Sequence, residues 1–443
     1  MPGGDAHESR RVRAAPRCIT GLIRVACVAT LCTGVQACAD LTRVSNPDLT
    51  TQGDVSNATG AEAVRSAAVA QFASAYTLQI LFSGLIADEF NATSNGQLQL
   101  PDSRVISALN ESSGSTYPYD GLSLARIRAL NAIQLLNTYN RSSKNEIAEL
   151  FAFLGYVETF FAEDMCDGVP IGLWANGRPQ YGPNLNRDQL VGLALVHFDS
   201  ALAYGASSDS IIDLVKVGRG RALLDSGNFA AAAAAVNGVP VVFQYTLNFG
   251  STETPINQVY QSIGAEQIAS VSDREGTNGL DFIGAADPRV ITMQISSGVW
   301  LPQGDAASAS PVPLATGVEA QLIDAEAQFR AGSTSGWTSI LSTLRQTAIA
   351  PAMDTLPSDS TTAASPQLQL AVFFRERAFW LFATGHRQGD LRRLIRVYGL
   401  AANAVFPTGS YAGGVTNYGN DITYVPFGEQ FNPNFTSCTD RNP

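Results

Sequence analysis

The sequence predicts a mostly α-helical protein in which helix pairs pack against a loop-rich half with minor β-strands. Three observations carry this. Long segments repeat apolar residues at close to 3.6-residue spacing. One of them passes through a tight turn into an alanine-rich second helix. Between residues 240 and 314 the texture changes to Gly, Ser, Asn and Pro with short β-branched runs.

Composition sets the frame. The chain has 443 residues, 45% of them apolar, enough for a large core. That length suggests about three domains, although a helical repeat can run this long as one unit. Only 15% of residues are charged, below the roughly 25% of an average soluble domain. The surface is therefore rich in Ser, Thr, Asn, Gln and Gly, which suits work outside the cytoplasm. Lineage bias is the alternative, since lysine occurs only at Lys144 and Lys216. The net charge of −11 argues against nucleic acid as a partner. Outside the N-terminus the one basic stretch, residues 387–396, alternates with apolar residues and reads as a helix face.

At the N-terminus, Arg10, Arg11, Arg13 and Arg17 precede an apolar run over residues 19–35 that ends in Val35-Gln36-Ala37-Cys38. The run is too short, and too interrupted by Arg24, to span a bilayer. The pattern resembles a bacterial lipobox. It implies a signal peptide over residues 1–37 and a lipid on Cys38; an ordinary cleaved signal is the alternative. Residues 38–60 are polar and read as a flexible tether. No later stretch reads as membrane-spanning, the best, residues 229–243, being broken by Asn237, Gly238 and Pro240. Cys18, Cys27 and Cys32 fall in the signal, which leaves Cys166 and Cys438. In an oxidising compartment these two are expected to pair; two unrelated buried thiols are the alternative. No C-x-x-C or His/Cys cluster suggests a metal.

Helical periodicity covers residues 61–86, through Val64, Ala68, Phe72, Ala75, Leu78, Leu81 and Phe82. Residues 88–119 break it as a long excursion. Helices follow over 122–138, 145–162, 187–202 and 211–224, the one over 145–162 being ended by Gly168, Pro170 and Gly172. Ser226-Gly227-Asn228 then turns the chain into Phe229 and its alanine run, a unit similar to a tetratricopeptide repeat. Residues 318–330 and 337–348 make another pair. Between these pairs, residues 240–314 read as a loop-rich insertion with strand-like runs at 241–245 and 290–295, a natural place for a binding surface.

The sharpest pattern is residues 374–393: Glu376-Arg377, then Gly385-His386-Arg387, then Asp390-Leu391-Arg392-Arg393. It resembles the SusD/RagB signature. Asp287-Pro288-Arg289, Ala325-Glu326-Ala327, residues 341–345, and Tyr424-Val425-Pro426 with Glu429 and Asn432-Pro433-Asn434 resemble further segments of that family in the same order, so the likeness runs from about residue 61 to 435. Gly385 is expected to cap the first signature helix and Asp390 to N-cap the next. Glu376, Arg377, Arg387 and Asp390 are expected to form a fold-maintaining ionic network between the two helices.

The resemblance implies four tetratricopeptide-like helix pairs in a SusD-like domain spanning residues 61–443. It also implies a lipid-anchored outer-membrane protein that binds a nutrient, usually a glycan, on its loop-rich face and passes it to a SusC-like TonB-dependent transporter. Aromatic rings stack on sugars, so Phe90, Tyr117, Tyr119, Trp174 and Trp300 are the loop-borne candidates, with packing the alternative for each. With three histidines and no nucleophile elbow, phosphate loop or His-Glu-x-x-His, neither an enzyme nor a cofactor is expected. A tetratricopeptide-like envelope scaffold that binds only protein, and a secreted glycoside hydrolase, are the other readings.

Overall fold

The structure, a computed structural model, describes residues 52–94, 96–106, 118–205, 207–250, 255–361, 363–412, 417–426, 429, 432–435 and 437–442. Cys38, the signal segment and Tyr117 lie outside the described residues. The chain divides into Met1–Asp54 and Val55–Pro443; the fold described below is that of the second unit.

Helix α1 (Ala58–Ile86) starts inside the segment read as tether, where the Asn57 side chain accepts a hydrogen bond from the Gly60 amide and caps its first turn. It is long and apolar enough to cross a membrane, unlike the expectation that no such segment follows the signal, but most of its length is buried in the core. There follow α2 (Pro118–Tyr139), α3 (Lys144–Asp164), α4 (Arg187–Ala203), α5 (Asp209–Asp225), α6 (Phe229–Val236), α7 (Gly317–Arg330) and α8 (Thr334–Thr347). Successive partners α1–α2, α3–α4, α5–α6 and α7–α8 pack as hairpins, and each hairpin packs on the next. These are the four helix pairs of the expected fold.

Local chemistry explains the boundaries. Proline opens α2, four residues before the periodicity suggested, because a missing N–H is harmless at a first helical position. Asn186 and Gln189 form a reciprocal capping box on α4. Gly227, at φ 77°, makes the left-handed turn between α5 and α6. Within the stack, the Phe198 ring of α4 sits against backbone at Gly155 of α3 and Gly218 of α5. A Cβ at either glycine would stand 2.7 or 2.6 Å from that ring. Phe72 of α1 stacks on Phe153 of α3 at 4.1 Å, and Tyr76 faces Phe160 at 5.5 Å. Such pairs add about 0.5–1.5 kcal/mol each beyond simple burial.

The strands are short and pair antiparallel in twos among the described residues. They are β1 (Phe90–Ala92), β2 (Val169–Ala175), β3 (Arg178–Leu185), β4 (Gln244–Leu247), β5 (Ala269–Val271), β6 (Thr292–Ser296), β7 (Val299–Pro302) and β8 (Val312–Thr316). The pairing of β4 with β8 closes the 240–314 insertion at its base, so the chain leaves the helical stack and returns to it at one point. The strand expected at 241–245 begins only at Gln244, because residues 241 and 242 turn above Gly317. The hairpin β2–β3 replaces what the sequence suggested was a mere helix terminator.

Helices α9 (Pro366–Trp380) and α10 (Arg387–Arg396) carry the signature. Residues Arg387–Leu394 of α10 are all buried although five of the eight are polar or charged. Burial is tolerated because the charges are paired. Arg377 grips Asp390 through two hydrogen bonds of 2.9 and 3.0 Å, and Arg393 grips Glu326 of α7 at 2.7 and 2.9 Å while reaching Asp390 and Asp225. Arg392 donates to the carbonyls of Ala162, Glu163 and Met165, neutralising the C-terminal end of α3.

The expected four-residue network is thus corrected in part. Arg377 and Asp390 do join α9 to α10. Glu376, one residue along and so about 100° round the helix, pairs instead with Arg289 and Arg345. Arg387 turns to Asp88 at 2.6 Å. Asp390 is not an N-cap: α10 starts at Arg387, and the Asp390 amide already donates to the His386 carbonyl. Gly385 has the left-handed φ of 72°, but it lies in the α9–α10 connection, past the end of α9 at Trp380. Its lack of a side chain admits Gln79, whose Oε1 would be 2.2 Å from a Cβ there.

Candidate functional site

The C-terminal tail is stitched to the end of α3 and to β3. The Cys166 amide donates to the Tyr424 carbonyl, and the Tyr424 amide donates to the Asp164 carbonyl. Cys166 and Cys438 are disulfide-bonded, with Cα atoms 5.8 Å apart. Asn434 and Asn184 bond across to each other's segments. This routing brings Glu429 beside the N-terminal half of α2 and the β2–β3 hairpin.

Between these three elements lies an open cleft of about 620 Å³ lined by Tyr119, Ser123, Ile127, Gln180, Tyr181 and Glu429, with Arg178 and Pro179 at the hairpin end. Tyr119, Ser123 and Ile127 are four residues apart and share one face of α2. Tyr119 is buried, and its hydroxyl is shared between the Pro170 carbonyl (2.8 Å) and Glu429 Oε1 (2.7 Å). Burial, and next the Glu429 carboxylate, push the Tyr119 phenol far above its ordinary range, so it stays a neutral donor. Asn432 donates to the other carboxylate oxygen at 2.7 Å. Glu429 is therefore held as an oriented acceptor. Burial, then Glu429, also raises the Asp120 carboxyl. Opposite, Tyr181 is 59% exposed and offers a free ring, and the exposed Leu124 lines the same cleft.

A flat exposed aromatic, a fixed carboxylate and the Gln180 amide, whose nitrogen already donates to the Pro179 carbonyl at 2.9 Å, are what a polyhydroxylated ligand requires: an apolar face to stack on, and acceptors and donors for its hydroxyls. Among the described residues no group of His, Cys, Asp and Glu could hold a metal ion.

The sequence candidates scatter. Tyr119 reaches the cleft, but as the support of Glu429. Trp174 is half-exposed on β2, paired with Pro179, and its indole N–H donates to Gln134 of α2 at 2.7 Å. It therefore braces the hairpin against α2 next to the cleft. Trp300 is half-buried on β7, away from α2 in the chain's other hairpin, and its amide donates to Ser270. Phe90 is corrected: it lies in β1, fully buried between Gly84 and Phe382, and cannot meet a ligand. Gln180 and Tyr181 were missed. The signal was Asn176-Gly177, whose φ values of 55° and 70° make the two-residue turn that best matches strand twist. Reading it would have placed Trp174 and Tyr181 on one ribbon.

No family model matches the chain, and no curated protein matches it in sequence. Solved structures do. A SusD superfamily protein from Bacteroides fragilis aligns with a TM-score of 0.58 at 14% identity, covering 82% of this chain and 93% of that one. NanU from B. fragilis aligns at 0.59 and 11% identity, covering 88% and 99%. A laminarin-binding SusD-like protein aligns at 0.55 and 14% identity, covering 87% and 99%. The likeness spans both the helix pairs and the loop-rich half. The chain has the SusD-like fold.

Proposed function

We propose that this protein is a nutrient-capture lipoprotein of the SusD/RagB kind, which binds a glycan in the α2–hairpin cleft without altering it. The observation that carries the reading is the exposed Tyr181 ring facing a carboxylate fixed by Tyr119 and Asn432, in a fold whose solved examples include one named for binding laminarin. In this reading residues 1–37 export the chain, Cys38 carries the acyl anchor at the start of the tether that follows it, and the protein sits in the outer membrane beside a SusC-like TonB-dependent transporter that imports the cargo.

A glycan array on the mature protein, followed by calorimetry with its best ligand, tests the cleft. Tyr181→Ala is expected to weaken binding about tenfold, the scale of one ring–sugar stacking contact. Unchanged affinity in that variant would remove the cleft from the proposal. Acyl labelling that persists in Cys38→Ser would remove the anchor. Failure to co-purify any plugged barrel from membranes would favour the scaffold reading instead.

A further inference from the structure

A second recess opens in the loop-rich half, between the β7–β8 connection and the α9–α10 connection, with a volume of about 410 Å³. Its walls are apolar: Ile291, Pro302, Pro311, Pro313 and Phe382. Its floor is fixed by Tyr76, fully buried, whose hydroxyl is shared between the carbonyls of Pro313 (3.0 Å) and Thr384 (3.1 Å). One carboxylate, Asp305, lines it and is only 7% exposed. Asn257, itself buried, donates to Asp305 Oδ1 at 2.8 Å, while its own oxygen accepts from the Tyr260 amide. No described residue bonds Oδ2.

The charge balance of the recess is lopsided. Arg289 also lines it, but that guanidinium is engaged by Asp287 and Glu376 and packed over Phe379 and Trp380. No salt bridge reaches Asp305 among the described residues, whereas the buried carboxylates Asp88, Glu158, Glu163, Glu326 and Asp390 each meet an arginine; among the buried carboxylates without one, Asp305 lines this recess. A desolvated carboxylate facing a small apolar-walled opening lacks the cation that would compensate it. Burial pushes its pKa up to about 6, so it is ionised at neutral pH.

We infer that this recess is a binding site, distinct from the α2–hairpin cleft, for the ammonium group of a small amine-bearing ligand such as an amino sugar with a free amine. Asp305 Oδ2 receives the ammonium, the proline and Phe382 walls cover the ligand's apolar face, and Gln303 and Thr384 lie at hand for hydroxyls.

Calorimetry with glucosamine, N-acetylglucosamine and glucose tests it. Glucosamine is expected to bind at least tenfold tighter than the other two. Asp305→Asn should abolish that preference, and Tyr181→Ala should keep it. Gly304→Phe supplies an independent variant: a Cβ at Gly304 meets open space, so the added ring fills the opening without a clash at its base, and it should block glucosamine in a protein that melts normally. Equal affinity for glucosamine and glucose, or wild-type glucosamine affinity in either recess variant, overturns the inference.

Discussion

Asp390 accepts from two guanidinium groups at once, Arg377 at 2.9 Å and Arg393 at 2.6 Å. Burial alone would raise its pKa, but these two cations hold it well below the ordinary carboxylate range. Replacing one member of such a buried set leaves the others uncompensated, a loss of about 3–5 kcal/mol. Asp390→Asn is therefore expected to lower the urea midpoint strongly while the folded fraction keeps its ligand affinity; a stable protein with lost affinity would instead assign Asp390 to a site. Steric limits act at the same scale. Gly218→Ala places a methyl group against Phe198 and should cost about 1–3 kcal/mol by overpacking. Phe198→Leu in the same chain should recover part of that loss, which a double-mutant cycle on denaturation midpoints measures. Neither effect could be read from the sequence, because Gly218 looks like an ordinary helix interior and Phe198 like an ordinary apolar position.

Elements differ in how much the sequence disclosed. The long helices were legible because each buries a stripe set by local periodicity, and the Ser226-Gly227-Asn228 turn announced its hairpin. The tail was legible as a set of motif residues and as the expected Cys166–Cys438 link, 272 residues apart; its hydrogen bonds to the end of α3 and to β3, which fix its path, were not. Closing so long a loop stabilises by roughly 5 kcal/mol in the chain-entropy model. The same tail delivers Glu429 to Tyr119, so its function rests on this closure. Cys438→Ser is expected to lower the melting temperature and also to weaken ligand binding in the cleft, through a Glu429 that is no longer held. A variant that melts lower but binds as wild type would show that Glu429 is positioned without the bridge.

At the scale of the whole molecule, the helical stack is built from neighbours in sequence, whereas the loop-rich half is built from distant ones: β1 pairs with β5, and Arg387 reaches Asp88 across 299 residues. That is why the helix pairs were foreseeable and the Asp305 recess was not; the cleft, expected within residues 240–314, lies instead between α2, the β2–β3 hairpin and Glu429, which the tail's distant contacts bring there. Several buried carboxyls also have their pKa raised by desolvation. Burial raises Glu89 to about 8, outweighing Arg387; it raises Asp164 to about 7 against the Gln79 hydrogen bond, and Asp305 to about 6 against Asn257. Each group binds its proton more tightly folded than unfolded, so stability declines as pH rises from about 4.5 towards 8. Asp287 and Asp390 work the other way. Burial opposes them, but Arg289 lowers the first and Arg377 with Arg393 lower the second, so their contribution is present above the ordinary carboxylate pKa and is lost as pH falls below about 4. Thermal melts across pH 3–9 should therefore peak in mild acid and fall on both sides. Glu89→Gln, which preserves the acceptor for the Ala383 amide, should flatten the alkaline side, raising the melting temperature near pH 8 by about 2–4 °C for each kcal/mol relieved. A melting temperature that climbs steadily from pH 5 to 8 in the wild type would contradict the raised pKa of these buried carboxyls.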